Sequence, residues 1–407
     1  MVPYLRLSHL RGSLNIIIYL IHVSLAVFPS SFLLSGRLAA QDTITGTKGY
    51  ITYHKGHLPI VLSVAHGGTM APASIPDRIC DNAETVTDKN TIELAESISE
   101  GLFLLTGYRP YIIRCNLKRS KADCNRDLEE AACGNAEAET AWREFRGFIE
   151  QALSDAAKKF GDHVFYLDIH GHAHTIRRIE LGYLLYGSEL RMPDDSLDQA
   201  RYINYSSIRD LVNNNQNNYT HSELLRGALA FGTFLADSGY PSVPSLQDPF
   251  PHAGESYFSG GYNIARHTSY QAGSRVNGVQ MECYYTGIRD TKSNRDSFGL
   301  ALAEVLTTYF WIHRNIDLKD LSPMSIRQAS TPSFTVFPNP SSGQAIHIKG
   351  GGATDGWFRL SDPGGKTMEE GSFVQGSIQL SRNYQPGIYI LSIRQDQTTR
   401  SFKVLLL

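Results

Sequence analysis

Phe165-Tyr166-Leu167-Asp168-Ile169-His170-Gly171-His172-Ala173-His174 runs from an apolar stretch into a carboxylate and three imidazoles, the polar groups all falling within seven residues. Its first residues, with Val164 before them, read as a buried strand and Gly171 as the break after it. Side chains at that point emerge from the strand's carboxyl end, where open α/β sheets place their ligands. Neutral imidazole nitrogens are good zinc donors, and Asp168 stands where it can orient a histidine from behind. The stretch therefore predicts a strand of a largely parallel sheet with a metal at its edge.

Working outward, the β-branched run Ile60 to Val64 follows Pro59 and stops before Gly67 and Gly68, reading as the first strand of the domain. From Asn90, residues Ile92, Leu94, Ala95, Ile98, Leu102 and Leu105 keep mainly to one helical face. Tyr111 to Ile113 is a second strand, Glu137 to Lys159 a long helix, and Val164 to Ile169 a third strand. Strands separated by such helices imply βαβ units, hence an α/β fold with a mixed, largely parallel sheet flanked by helices. Beyond Pro323 the pattern changes to Ser, Gly, Pro and Thr, as at Ser330-Thr331-Pro332-Ser333. Short β-type runs follow: Phe334 to Phe337, Ala345 to Ile348, Trp357 to Leu360, Ile378 to Leu380, Gly387 to Ile393 and Phe402 to Leu407. They predict a small all-β sandwich. The expected division is a signal segment over 1–40, a metallohydrolase domain over 41–320, a linker over 321–332 and the β domain over 333–407.

Composition narrows the function classes. With 38 basic and 40 acidic residues the net charge is −2, and no basic stripe is interleaved with aromatics, which argues against a nucleic-acid partner. Arg6 and Arg11 precede an apolar core from about Asn15 to Phe28, with Ala39 and Ala40 after it, the layout of an export signal. No other stretch approaches the roughly 20 apolar residues that span a bilayer, so no stable transmembrane span is expected. The five cysteines lie beyond residue 40, and an exported chain with five can form one or two disulfides. Cys124 reads as a buried or bridged cysteine rather than a nucleophile.

Further polar groups stand at other strand ends. Ala65-His66-Gly67-Gly68 places an imidazole after the Ile60 strand, with two small residues that let backbone approach an ion or substrate. After the Tyr111 strand, Arg119 to Asp127 gathers Arg119, Asn125 and Arg126 in one loop. A planar guanidinium matches a carboxylate, so the loop fits an acidic substrate; the competing reading is a salt-bridged turn pairing Arg126 with Asp123 or Asp127. Glu282 closes the apolar strand Val279-Gln280-Met281, where burial beside a cation suits a general base.

In order, His66-Gly67-Gly68, Thr87-Asp88 with Thr91 to Ala95, Arg119 with Asp123 and Asn125-Arg126, Asp168-Ile169-His170, Gly260-Gly261-Tyr262 and Gln280-Met281-Glu282 resemble the N-formylglutamate amidohydrolase family, a relative of the zinc carboxypeptidases and aspartoacylases. The resemblance runs from about Leu58 to Tyr285. It implies one catalytic Zn2+ held by His66, His170 and a carboxylate. The carboxypeptidase relatives use His-x-x-Glu, and Thr69 stands at that place here, so the carboxylate is assigned to Asp88, with Asp77 as the alternative. Glu282 is then the general base, Arg119 polarises the carbonyl oxygen, and Asn125 and Arg126 hold a substrate carboxylate. His172 and His174 are left without a settled role, and the run Arg177 to Gly182 either lines the pocket or forms a structural ion pair.

The tail is similar to the C-terminal sorting domain of the type IX secretion system of Bacteroidota, through Phe337-Pro338-Asn339-Pro340, Ser342-Gly343, Leu380, Pro386-Gly387-Ile388-Tyr389 and Lys403-Val404-Leu405. That similarity implies export to the cell surface or medium with the secretion machinery as partner. An exported chain is out of place in cytoplasmic histidine catabolism, so the expected substrate is a carboxylate-bearing amide, an N-acyl amino acid or short peptide. A zinc carboxypeptidase proper and a non-catalytic surface binding protein on the same scaffold are the alternatives.

Overall fold

The computed structural model describes residues 41–407 apart from 162, 216, 322–334, 338, 340, 342–344, 350–354, 363–365, 396–397 and 407. The expected signal segment and nearly all of the linker lie outside the described residues. Eight strands form the first sheet: β1 (Thr43–Thr45), β2 (Ile51–His54), β3 (Ile60–Val64), β4 (Tyr111–Cys115), β5 (Phe165–Gly171), β6 (Ile179–Gly182), β7 (Ser242–Val243) and β8 (Asn277–Cys283). Their order is β1-β2-β4-β3-β5-β8-β6-β7. The central four, β4-β3-β5-β8, are parallel, while β2 runs antiparallel to β4 and β6 antiparallel to β8.

Two details correct the sequence reading. The Ile60 run is the third strand, because β1 and β2 precede it as short strands around a turn in which Lys48 and Gly49 take positive φ. Three- and four-residue strands leave too little alternation to read. Gly171 is the last residue of β5 rather than a break after it, since it still pairs with Cys283 of β8.

Neighbouring strand residues point to opposite faces, and this splits β5 into two chemistries. Phe165, Leu167 and Ile169 join Leu62, Val64, Val279 and Met281 in the larger core, under the helices Thr91–Thr106 and Lys292–Arg314. Those helices meet through glycines: a β-carbon at Gly101 would lie 2.5 Å from the Gly299 carbonyl oxygen, so any side chain would separate them. Tyr166 faces the other way, into a core with Val61, Ile113 and the helix Ala136–Phe160. Asp168 and His170 share that second side, where apolar packing gives way to polar groups at the carboxyl ends.

A second sheet holds β9 (Thr335–Phe337), β10 (Ala345–Lys349), β11 (Asp355–Ser361), β12 (Thr367–Val374), β13 (Ser377–Gln379), β14 (Gly387–Gln395) and β15 (Thr398–Leu406). Its order is β15-β14-β11-β12-β13-β10-β9, antiparallel throughout. Where a two-sheet sandwich was expected, the strands form one continuous sheet bent as a half-barrel around Ile346, Phe358, Leu360, Phe373, Ile378 and Leu391. Gln375-Gly376, both at positive φ as a tight hairpin turn requires, join β12 to β13, which share the single pair Val374–Ser377. The polar strand β12 escaped the sequence reading. Among the described residues no helix is long and apolar enough to cross a membrane.

Candidate metal centre

His66, Asp88 and His170 converge at the carboxyl ends of the parallel strands, their candidate ligand atoms all within 4.8 Å of one another. His170 is carried on β5 and His66 lies two residues beyond β3. Asp88 comes from the loop between β3 and the helix Thr91–Thr106, and backbone fixes it: its N–H donates to the His66 carbonyl at 3.0 Å, and its own carbonyl accepts from Thr91. The Gly67-Gly68 pair serves this packing. A β-carbon at Gly68 would stand 2.3 Å from the Leu117 carbonyl oxygen, and one at Gly67 would meet the Ile92 backbone nitrogen at 2.9 Å. The close approach is thus made by neighbouring protein backbone rather than by a ligand.

Both histidines turn Nδ1 toward one oxygen, Asp88 Oδ2, at 3.4 Å from His66 and 3.2 Å from His170. Donor atoms arranged tetrahedrally around zinc at about 2.0–2.1 Å stand about 3.3 Å apart, so these spacings suit the ion. His66 Nδ1 is buried without a hydrogen-bond partner, an orphan that a cation would satisfy. Behind each ring stands a fully buried carboxylate: His66 Nε2 lies 2.6 Å from Asp123 Oδ1 and His170 Nε2 2.9 Å from Asp168 Oδ2. This fixes the tautomers with Nδ1 facing the centre and strengthens both donors.

The electrostatics follow from burial and charge. Burial opposes ionisation of Asp88, yet the two imidazoles beside it, His170 and His66, hold its carboxyl far below the usual range. Asp123 is likewise driven down against its burial by His66 and Arg119, and Asp168 by His170. Burial disfavours a charged His170, but Asp168 and Asp88 push its proton affinity well above the ordinary value. Glu282 goes the other way: burial raises its carboxyl to about 7, with His170 opposing.

The other residues expected at the site take distinct places. His66, Asp88, Arg119, Asn125, Arg126, His170 and Glu282 all line one cavity of about 910 Å3. Glu282 is the register partner of His170 across β8 and β5. Its Oε1 accepts from Gln280 Nε2 at 2.8 Å. Arg119 donates from Nε to Asp123 Oδ2 at 2.9 Å and holds Nη1 3.8 Å from Asp88 Oδ1, a fixed positive charge beside both carboxylates. Asn125 is buried, with Oδ1 accepting from the Asn263 N–H and Nδ2 reaching Gln280, so its amide braces the wall. Arg126 stays about a third exposed and pairs with Glu130 at 3.0 Å. Neither Asp123 nor Asp127 takes it, because Asp123 is turned inward to His66 and Asp127 caps the helix Leu128–Ala132. Asp77, the alternative ligand, is on the surface with Ser120 and Lys121 and takes no part.

Of the Arg177 to Gly182 run, Arg178 is a buried structural cation pairing with Asp248 at 2.9 Å and Glu255 at 2.8 Å, while Glu180 points inward to His174. Asp123 stands in the resembling motif and among the ion-pair partners expected for Arg126, but its bond to His66 has no signal in the sequence. Cys80 and Cys133 form a disulfide, and Cys115, Cys124 and Cys283 are free and buried.

No protein-family model matches the chain, and no curated protein matches its sequence. Among solved structures, a metallo-carboxypeptidase from Pseudomonas aeruginosa, in complex with (2-guanidinoethylmercapto)succinic acid, is similar at a TM-score of 0.31 and 12% identity. The likeness covers 66% of this chain and 63% of that one, so the chain spans less than two thirds of that protein's length.

Proposed function

We propose that this chain is a zinc-dependent amidohydrolase acting on small carboxylate-bearing amides, N-acyl amino acids or short peptides. The observation that carries the reading is the set of Nδ1–Oδ2 spacings of 3.2 and 3.4 Å, with Glu282 in register beside His170. His66, Asp88 and His170 are the residues that would hold the ion. Bound there, zinc supplies acidity to a water and polarises a carbonyl.

The chain's own groups do the rest. Glu282, desolvated and next to His170 in register, takes a proton from the attacking water. Arg119, anchored on Asp123, presents fixed positive charge where negative charge develops on the acyl oxygen. Arg126, the partly exposed guanidinium of the cavity wall, holds a substrate carboxylate, so that position contributes to rate. Lys89 also lines the cavity, 5.6 Å from the Tyr285 ring, and adds a further cation to its wall.

The test is zinc content of the purified protein together with product release from a panel of N-acyl amino acids and short peptides. One zinc per chain and turnover abolished in Glu282→Gln are expected; an active Glu282→Gln protein rejects the mechanism, and preference for peptides marks a carboxypeptidase. We further propose export through residues 1–40 and surface delivery through residues 333–407, on the strength of their sequence resemblances. The Cys80–Cys133 bridge supports an oxidising destination. Deleting 333–407 should strand the protein inside the outer membrane of a host with the secretion system, and unchanged release would reject that role.

A further inference from the structure

His174 stands in the wall of the same cavity, supported from three sides. Its Nδ1 lies 2.7 Å from Glu180 Oε1, and Glu180 is wholly buried with Oε2 accepting the Phe258 N–H at 2.8 Å. The ring stacks on Phe258 at 4.7 Å and 19°, and leans on His172 at 5.0 Å. With Nδ1–H directed to the carboxylate, Nε2 is left for the cavity; among the described residues no hydrogen bond to it is seen. His172 has no such freedom, since Nδ1 accepts the His174 N–H at 3.1 Å and Nε2 donates to the Arg178 carbonyl at 2.8 Å. It pins the loop.

His172, His174 and Glu180 also lie close enough to suggest a second cation site. The geometry decides against it: 2.7 Å is a hydrogen bond, well short of the 3.2–3.4 Å between donors at the first centre. Both His172 nitrogens are already committed. What remains is an imidazole oriented by a buried carboxylate, the arrangement that prepares a ring to move a proton.

Its place relative to the metal residues gives it a task. Register sets His170 of β5 beside Glu282 of β8, and Glu282 beside Glu180 of β6. Ligand, base and the support of His174 therefore form a row across three strands about 5 Å apart. We propose that His174 is a catalytic proton donor to the leaving nitrogen of the amide and that Glu180 is its positioning residue; this rests on the hydrolase reading above. As water attacks the acyl carbon, one water proton passes to Glu282. When the C–N bond breaks, its electron pair goes to nitrogen, which takes the Nε2 proton of a doubly protonated His174 and leaves the neutral ring with Nδ1–H on Glu180. Glu282 returns its proton to His174 through cavity water, so the net change is addition of OH to the acyl group and H to the amine.

The experiment compares full-length wild-type, His174→Gln and Glu180→Gln proteins, zinc-loaded, on an N-acyl amino acid amide bond and on the matching nitrophenyl ester, whose leaving group needs no proton. For His174→Gln, kcat on the amide should fall about 10²–10⁴-fold. Turnover of the ester and zinc content should stay near wild type. Glu180→Gln should lower amide kcat less, leave KM unchanged and spare the ester. Equal losses on amide and ester, an unaffected amide rate, or a second bound zinc that His174→Gln abolishes would each overturn the proposal while the hydrolase reading stands. A wild-type protein inactive on both substrates overturns the reading and the proposal together.

Discussion

Asp168→Asn and Asp123→Asn probe the centre from behind its ligands, and the structure separates their expected effects. Asp168 is fully buried and touches His170 Nε2 at 2.9 Å, Ser63 Oγ, and Asn263 Nδ2 at 3.3 Å, with no guanidinium bonded to it among the described residues. Asp123, equally buried, accepts from His66 Nε2 at 2.6 Å, Arg119 Nε at 2.9 Å and the Asn125 N–H at 2.9 Å, with Arg78 Nη1 at 3.7 Å. Losing an outer carboxylate behind a metal-bound histidine typically lowers metal affinity about 10–100-fold. That is about 1.4–2.7 kcal/mol. Asp168→Asn belongs at the upper end, because an amide NH2 turned toward Nε2 forces the ring proton onto Nδ1, the atom that faces the centre. Its metal-free fold should lose only about 1–3 kcal/mol, one charge-assisted hydrogen bond. Asp123→Asn also strands Arg119, and breaking a buried ion pair from one side costs about 3–5 kcal/mol. Zinc competition against a chromophoric chelator measures the first quantity, and urea unfolding of chelator-treated protein the second. Unchanged zinc affinity in Asp168→Asn, with its fold weakened as much as that of Asp123→Asn, would refute the reasoning.

Glu282→Gln should abolish amide turnover while retaining zinc. In the wild type the rate should rise with pH as Glu282 ionises, through a limb at or below about 7 because a bound cation pulls the carboxyl down, and a limb that survives in the Gln variant would assign it to another group. Zinc uptake should release protons, since His170 is held protonated well above its ordinary range and must shed that proton to ligate; affinity therefore falls as pH falls, and a pH-independent titration would contradict this. Cys80 and Cys133 bridge a sequence separation of 53 and tether the segment leading to Asn82, Glu84 and Asp88. Replacing both by Ser should cost about 2–4 kcal/mol in unfolding free energy and weaken zinc retention, and equal urea midpoints with and without reductant would show the bridge to be idle.

Legibility from sequence varied with the physics. His170, Glu282 and His66 were readable because each ends an apolar β run, and burial of that run places its end at the sheet edge. Asp88 has no such local signature: it sits in a loop, and only the family resemblance singled it out. Asp123 was visible as a charge between two arginines, but its bond to His66 depends on how β3 and β4 pair side by side, which short-range pattern does not encode. The pairing of Glu180 with His174 escaped for the same reason, and β12 because its polar face weakens alternation.

The charges around the centre argue for a divalent ion independently of distances. Five carboxylates, Asp88, Asp123, Asp168, Glu180 and Glu282, are buried there, and the buried guanidinia beside them are Arg78, Arg119 and Arg289. With both imidazoles neutral, two negative charges remain in a desolvated space, which is costly unless paired. Without metal the protein meets that cost with protons, and this is where they go: His170 is pushed to its charged form and Glu282 up to about 7 toward its neutral form. A divalent cation cancels the same excess while freeing both groups for their proposed tasks, His170 as a neutral ligand and Glu282 as an ionised base. Metal loading and the creation of a competent base are thus one electrostatic event, so zinc affinity and the acidic limb of the rate profile should shift together in any variant that alters this charge balance.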